Sequence, residues 1–313
     1  MRDYIFKLDR EAILNHPRTL FLEDDILPIN DYLDNIEHYL NVCYAFEGNT
    51  VVQHGRVIIA RTTDETRLSS AFKSSIYLGK YNDMANTKRF LDNMVTAHHS
   101  YEPIRGENVL FLYIGVGKPV YDHLVTYSVG RPSRIAGGQR ANVPWGFEVP
   151  VEAKNKDLYY ASLDTVKAVA VLAKKERQEQ MQAARSMLPV GYIMPPFMME
   201  FTEEALIKNV FKQRLFEKGA QGATQEVVAD MLKALHMIDP EKWERLEDYH
   251  GTHIQRWEKA MRTMRNKRPT VEDFYQSIKG MAMGDFLQAD LYELVLEQYG
   301  KLPPSMWDKQ KQQ

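Results

Sequence analysis

The 313-residue chain is 44% hydrophobic and 26% charged, with a net charge of −2, the proportions of a folded globular protein of one large or two ordinary domains. The balance excludes a global basic field for nucleic acid but leaves room for a free nucleotide at a local arginine cluster. Cys43 is the only cysteine, which excludes internal disulfides, cysteine-based zinc sites and CxxC redox chemistry. It sits in the apolar run YLNVCYAF and reads as a core residue. No apolar stretch reaches the length of a membrane span, and the start MRDYIFKLDREAI lacks the apolar core of a signal peptide. A cytoplasmic setting is the expectation.

Residues 1–49 read as a helical, acidic-aromatic lead-in. TVVQHGRVIIART (50–62) has β-branched runs and reads as a strand. Residues 84–98 have Phe90, Met94 and Ala97 near one helical face. NVLFLYIGV (108–116) is a strongly apolar strand, and Pro119 suits the first turn of a helix reaching about Tyr127. A glycine-rich loop follows, and then an extended segment, VPWGFEVPV (143–151). From there the pattern is helical: 159–183, 203–218, 221–236 and two or three helices beyond 240. Strands first and helices second argue an α+β architecture. We divide the chain into an N-terminal helical extension (1–49), a core (50–250) and a C-terminal helical extension (251–313).

The run YDHLVTYSVGRPSRIAGGQRAN (121–142) carries the densest chemistry. It sets Arg131, Arg134 and Arg140 around Gly137-Gly138. Guanidinium forks match phosphate oxygens in pairs, and adjacent glycines let backbone N–H groups approach an anion. A seat for a phosphorylated small molecule and a solvated surface loop are both open on this stretch alone. Arg214 follows Leu206 and Val210 at helical spacing, continuing an apolar stripe. Arg185 stands between Met181 and Leu188 where a core residue is expected. A charge facing inward needs a partner: a carboxylate (Glu176, Glu200 and Glu226 are candidates) or an anionic ligand. His250-x-x-His253 lacks the grouping of a metal site, RTMRNKR (262–268) reads as a solvated helix end, and GVGKP (115–119) lacks the rest of a phosphate loop.

In order and spacing, these regions resemble the flavin-dependent thymidylate synthases. ERQEQMQAARSMLP (176–189) resembles that family's segment ending in Ala-Arg, two residues, Leu-Pro. ALIKNVFKQRLFEKGAQ (205–221) resembles its helix carrying Arg and then Ala-Gln. NVLFLYIGVGKPVYDHLVTY resembles the strand and helix that lead into its signature loop. The similarity spans roughly 50–250. It implies an α+β fold, an antiparallel sheet flanked by helices, assembled as a homotetramer. It also implies transfer of a one-carbon unit from methylenetetrahydrofolate to C5 of dUMP for dTMP synthesis, with FAD supplying hydride and NADPH re-reducing it, and with no cysteine nucleophile.

By the same resemblance, Arg140, Arg185 and Arg214 bind the nucleotide, with Arg214 also at the catalytic centre, and the backbone of Gly137 and Gly138 is the expected phosphate cradle beside Arg140. His98, His99, Ser100, Ser133 and Asn209 fall on the flavin side, where Arg131 and Arg134 stand as neighbouring substitutes for the family's missing arginines. No metal is implied. The family's signature is Arg-His-Arg, seven residues, Ser, one residue, Arg. Here Ser128, Val129 and Gly130 stand at the triplet and Gly138 at the serine. The departure leaves two alternatives: a relative that hydroxymethylates or methylates dUMP or dCMP at C5, and a non-catalytic nucleotide-binding homologue.

Overall fold

The apolar run at 108–116 folds as the central strand of the larger sheet. In the computed structural model, which describes residues 5–96, 101–136, 143–152, 155, 157–175, 184–217, 222–254, 262, 265, 270–283 and 286, β4 (Asn108–Tyr113) is buried at every position after Asn108. A strand covered on both faces has to be apolar throughout. β3 (Val57–Thr62) and β8 (Phe197–Thr202) flank it. β2 (Val52–His54) and β5 (Ser133–Ile135) form the edges, in the order β2-β3-β4-β8-β5, with every pairing antiparallel. A smaller antiparallel sheet joins β1 (Thr19–Phe21), β6 (Gly146–Glu148) and β7 (Tyr192–Ile193). Helices flank these sheets, so the expected α+β class holds.

Three local expectations change. The single strand read at 50–62 is a hairpin, because His54 pairs with Val57 across Gly55-Arg56 and Gly55 supplies the positive φ of 55° that a two-residue turn needs. The lead-in is helical at α1 (Arg10–Leu14) and α2 (Ile29–Leu40), with wide turns from Asn41 to Ala45, but it also contributes β1 to the small sheet. Cys43 lies in those wide turns and is exposed, not in the core.

Chain connections then place the remaining helices. α3 (Leu68–Tyr77), α4 (Thr87–Thr96) and α5 (Glu102–Arg105) lie between β3 and β4, and α6 (Lys118–Val125) follows β4. α7 (Asp157–Lys175) packs on β6. α8 (Glu203–Ala205) continues from Leu206 to Phe216 in wide i→i+5 turns. α9 (Gly222–Ile238) packs on β2, β3, α6 and those wide turns, and α10 (Pro240–Glu247) follows it. Stacking of Tyr113 on Phe197 (4.8 Å) and the edge of Tyr121 on Phe197 (5.0 Å) seat α6 against the larger sheet.

The chain divides into two units, residues 1–246 and 247–313. Where described, the second is helical, with wide turns from Asp248 to Ile254 and α11 (Val271–Ile278). Among the described residues, no helix is long and apolar enough to cross a membrane.

Candidate functional site

α6 opens at Gly117 with Pro119 in its first turn, where a missing N–H costs nothing. It buries Val120 and Leu124. His123 and Tyr127 stand four residues apart and share the adjoining face. Its C-terminal end is closed by Arg131, whose Nη1 donates to the carbonyl of Val125 at 2.8 Å.

Arg214 meets this face from the wide-turned segment. Leu206, Ile207, Val210 and Phe211 are fully buried there. A turn closed by i→i+5 bonds advances more residues than an α-turn, so the buried stripe continues to partly buried Leu215 and passes Arg214 by. Arg214 is therefore half-buried at the edge of the core, not in line with it as α-spacing predicts. The same pattern stacks Asn209, also half-buried, one wide turn below Arg214. The Arg214 guanidinium lies 5.4 Å from the centroid of the Tyr127 ring, a cation–π arrangement. The Tyr127 hydroxyl donates to Gln213 Oε1 at 3.2 Å. Arg214 Nε is buried with no hydrogen-bond partner among the described residues.

His123 Nδ1 lies 2.7 Å from Thr224 Oγ1 in the first turn of α9. Burial, and then the Arg214 charge, lower the imidazole pKa, favouring the neutral form. Burial raises the Tyr127 phenol, and Arg214 partly offsets this. The cluster is thus one fixed guanidinium, a neutral imidazole and a phenol. It can bind an anion, and it contains no cysteine. His123, Tyr127 and Thr224 were not singled out in the sequence; the four-residue spacing of His123 and Tyr127 was the available signal.

Of the other expected residues, Arg185 stands half-buried in the turn ahead of β7, its carbonyl accepting from Leu188 N at 3.1 Å. Two of the carboxylates considered for the arginines are engaged elsewhere. Glu226 accepts from Arg18 (2.6 and 2.7 Å), and Glu200 accepts from Arg61 (2.8 Å) and Ser133 Oγ (3.3 Å). Arg134 is exposed on edge strand β5. His98, His99, Ser100, Gly137, Gly138, Arg140 and Glu176 lie outside the described residues.

The stretch standing at the signature triplet has a definite structure. Gly130 has φ +73°, and a Cβ there would lie 2.5 Å from Ala205 Cβ and 2.8 Å from Thr202 Oγ1. Its carbonyl accepts from Thr202 N at 2.7 Å. The loop is pressed onto the end of β8 too closely for any side chain at this position. Gly117 N-caps α6 in extended conformation and Gly115 turns the chain with φ +72°. Among the described residues, no group of three or more His, Cys, Asp or Glu side chains could hold a metal ion.

No known protein-family profile matches the chain, and no curated protein matches it in sequence. Among solved structures it is similar to the UMP/dUMP methylase PolB of Streptomyces cacaoi bound with 5-Br dUMP. The identity is 17% over 65% of this chain and 97% of that one, with a TM-score of 0.46. It is also similar to thymidylate synthase X (ThyX) of Helicobacter pylori with FAD and dUMP, at 15% identity over 62% and 98% of the two chains and a TM-score of 0.48.

Proposed function

We propose that this chain is a pyrimidine-nucleotide enzyme of the flavin-dependent thymidylate synthase type, which transfers a one-carbon unit from methylenetetrahydrofolate to C5 of dUMP. The observation that carries the nucleotide half is Arg214. It is laid on Tyr127 beside a neutral imidazole, with a buried Nε still able to donate. A guanidinium held in one orientation with donors to spare is suited to phosphate oxygens. Arg185, Arg140 and the backbone of Gly137-Gly138 complete the cradle, with Arg214 nearest the reacting ring. The sequence order of these arginines supports the same reading. In this proposal the protein is a cytoplasmic homotetramer and NADPH supplies the reducing equivalents.

The flavin half fits less well. The triplet that would hold FAD is Ser128, Val129 and Gly130, and Gly130 has no room for a side chain. Arg131 is engaged in closing α6, and Ser133 leans on Glu200. Asn209 and Arg134 remain as flavin-side groups, with His98, His99 and Ser100. That crowding favours a second reading. Methylenetetrahydrofolate carries carbon at the formaldehyde level, so a methyl product needs hydride, whereas a hydroxymethyl product needs only water. A C5 hydroxymethylase of dUMP or dCMP would therefore dispense with flavin, and a non-catalytic nucleotide binder would dispense with all of it.

Two measurements separate these outcomes. Titration with dUMP should show Arg214→Ala binding about tenfold more weakly or worse, through loss of a charge-assisted bond; unchanged affinity would remove the assignment. A flavin absorbance bleached by NADPH, with a methyl product by mass, supports the first reading. A colourless protein that yields a hydroxymethyl product supports the second.

A further inference from the structure

Helix α3 has its two faces the wrong way round for a lone molecule. Leu68, Phe72 and Ile76 are 52%, 49% and 48% exposed, while Ser70, Ala71, Ser74 and Ser75 are buried. A surface helix ordinarily buries its i, i+4 apolar stripe and shows its serines to water. Here even the Ser70 hydroxyl is buried without a hydrogen-bond partner among the described residues. The roll of the helix is fixed from both sides. The Asp64 carboxylate accepts from the backbone N–H groups of Ser69 (3.2 Å) and Ser70 (2.8 Å). Arg67, in the left-handed region at φ 65°, is clasped by Asp239 (3.0 Å) and Glu241 (2.9 Å). Lys73 is paired with Glu107.

We propose that α3 is a contact between two copies of this chain, packed about a two-fold axis through Phe72. The stripe is symmetric about that residue. With the helices antiparallel, Leu68 of one copy meets Ile76 of the other and Phe72 meets Phe72, as an isologous contact requires. Residues at i, i+4 and i+8 form one ridge, and two such ridges interdigitate in the commonest helix-packing class. The charges also permit self-association. Across a two-fold axis each cation faces the surroundings of its own copy, and like charges opposed there would repel. Arg67 and Lys73, the cations bordering the stripe, are each neutralised within their own chain. Tyr77, Leu78 and Tyr81 continue the exposed apolar surface beyond the helix. The contact gives a surface to the oligomeric part of the proposed function, and it does not depend on the nucleotide.

Sedimentation of the full chain tests it. Phe72→Glu sets two carboxylates against each other at the axis and should halve the wild-type mass. In a Cys43→Ser background, which removes the exposed native thiol, Phe72→Cys should form a disulfide-linked dimer on mild oxidation. A monomeric wild type would overturn the proposal, as would a Phe72→Glu variant of unchanged mass together with no cross-link through position 72. Titration of the wild type with dUMP in parallel keeps the two readings separate, since failure to bind nucleotide leaves the cross-link result standing.

Discussion

Gly130 and Arg214 bear on opposite halves of the proposed site. A change of helix type, invisible in residue identities, brings Arg214 over Tyr127. Gly130 departs because Ala205 and Thr202 occupy the space a side chain would need, and its φ of +73° is one that L-residues adopt at a cost. Gly130→Arg, which writes back one residue of the missing triplet, should therefore destabilise the protein by about 2–5 kcal/mol, the sum of backbone strain and overpacking. Urea unfolding of the two proteins checks this. Equal midpoints would mean that the loop can lift off β8, and the flavin half would then be open to repair by substitution.

At the scale of elements, legibility followed burial. β4 was readable because a strand covered on both faces has one pattern, an uninterrupted apolar run, and α6 because Pro119 marks its first turn. β5 was not, since Ser133–Ile135 is a three-residue edge strand whose Arg134 and Ile135 face solvent. The hairpin β2–β3 was read through because apolar residues continue on both sides of Gly55. The wide turns at 206–216 carry no signal in composition, so α-spacing placed Arg214 on the wrong stripe. α3, which the sequence reading passed over, is the sharpest case, because its i, i+4 apolar stripe faces outward while its serines are buried. What sets its roll is the cap. Asp64→Ala removes acceptors for two backbone donors and should cost about 1–2 kcal/mol, read as a lower urea midpoint with unchanged slope. No change would mean that the ion pairs of Arg67 hold the helix start unaided.

At the scale of the first unit, charged side chains link the N-terminal segment and the β2–β3 turn to segments far along the chain. Arg56 Nη1 bonds Glu148 Oε1 (2.7 Å) and the carbonyl of Gly115 (3.0 Å), and buried Arg18 reaches both Glu152 and Glu226. Such pairs add little net stability, but they place His16 among cations. Its Nδ1 accepts from the backbone N–H of Arg18 at 3.2 Å. Burial first, and then the charge of Arg56, lower its pKa from 6.5 to about 4, with Arg18 adding to the shift and Glu226 opposing it. The native state therefore resists a proton that the unfolded chain accepts, and stability must fall as pH drops from 6.5 towards 4. For a half-buried imidazole the loss is about 1–3 kcal/mol. Glu226, held below its usual range mainly by Arg18, adds its own loss only at lower pH. His123 contributes with the same sign as His16. Urea unfolding from pH 7 to pH 4 should therefore show a declining midpoint, and His16→Gln, which has no proton to take up, should leave a shallower decline, due to His123 and, near pH 4, to Glu226. Parallel profiles for the two proteins would mean that His16 takes up its proton in the folded state, in which case the Arg18 and Arg56 clasp opens to water before the sheets separate.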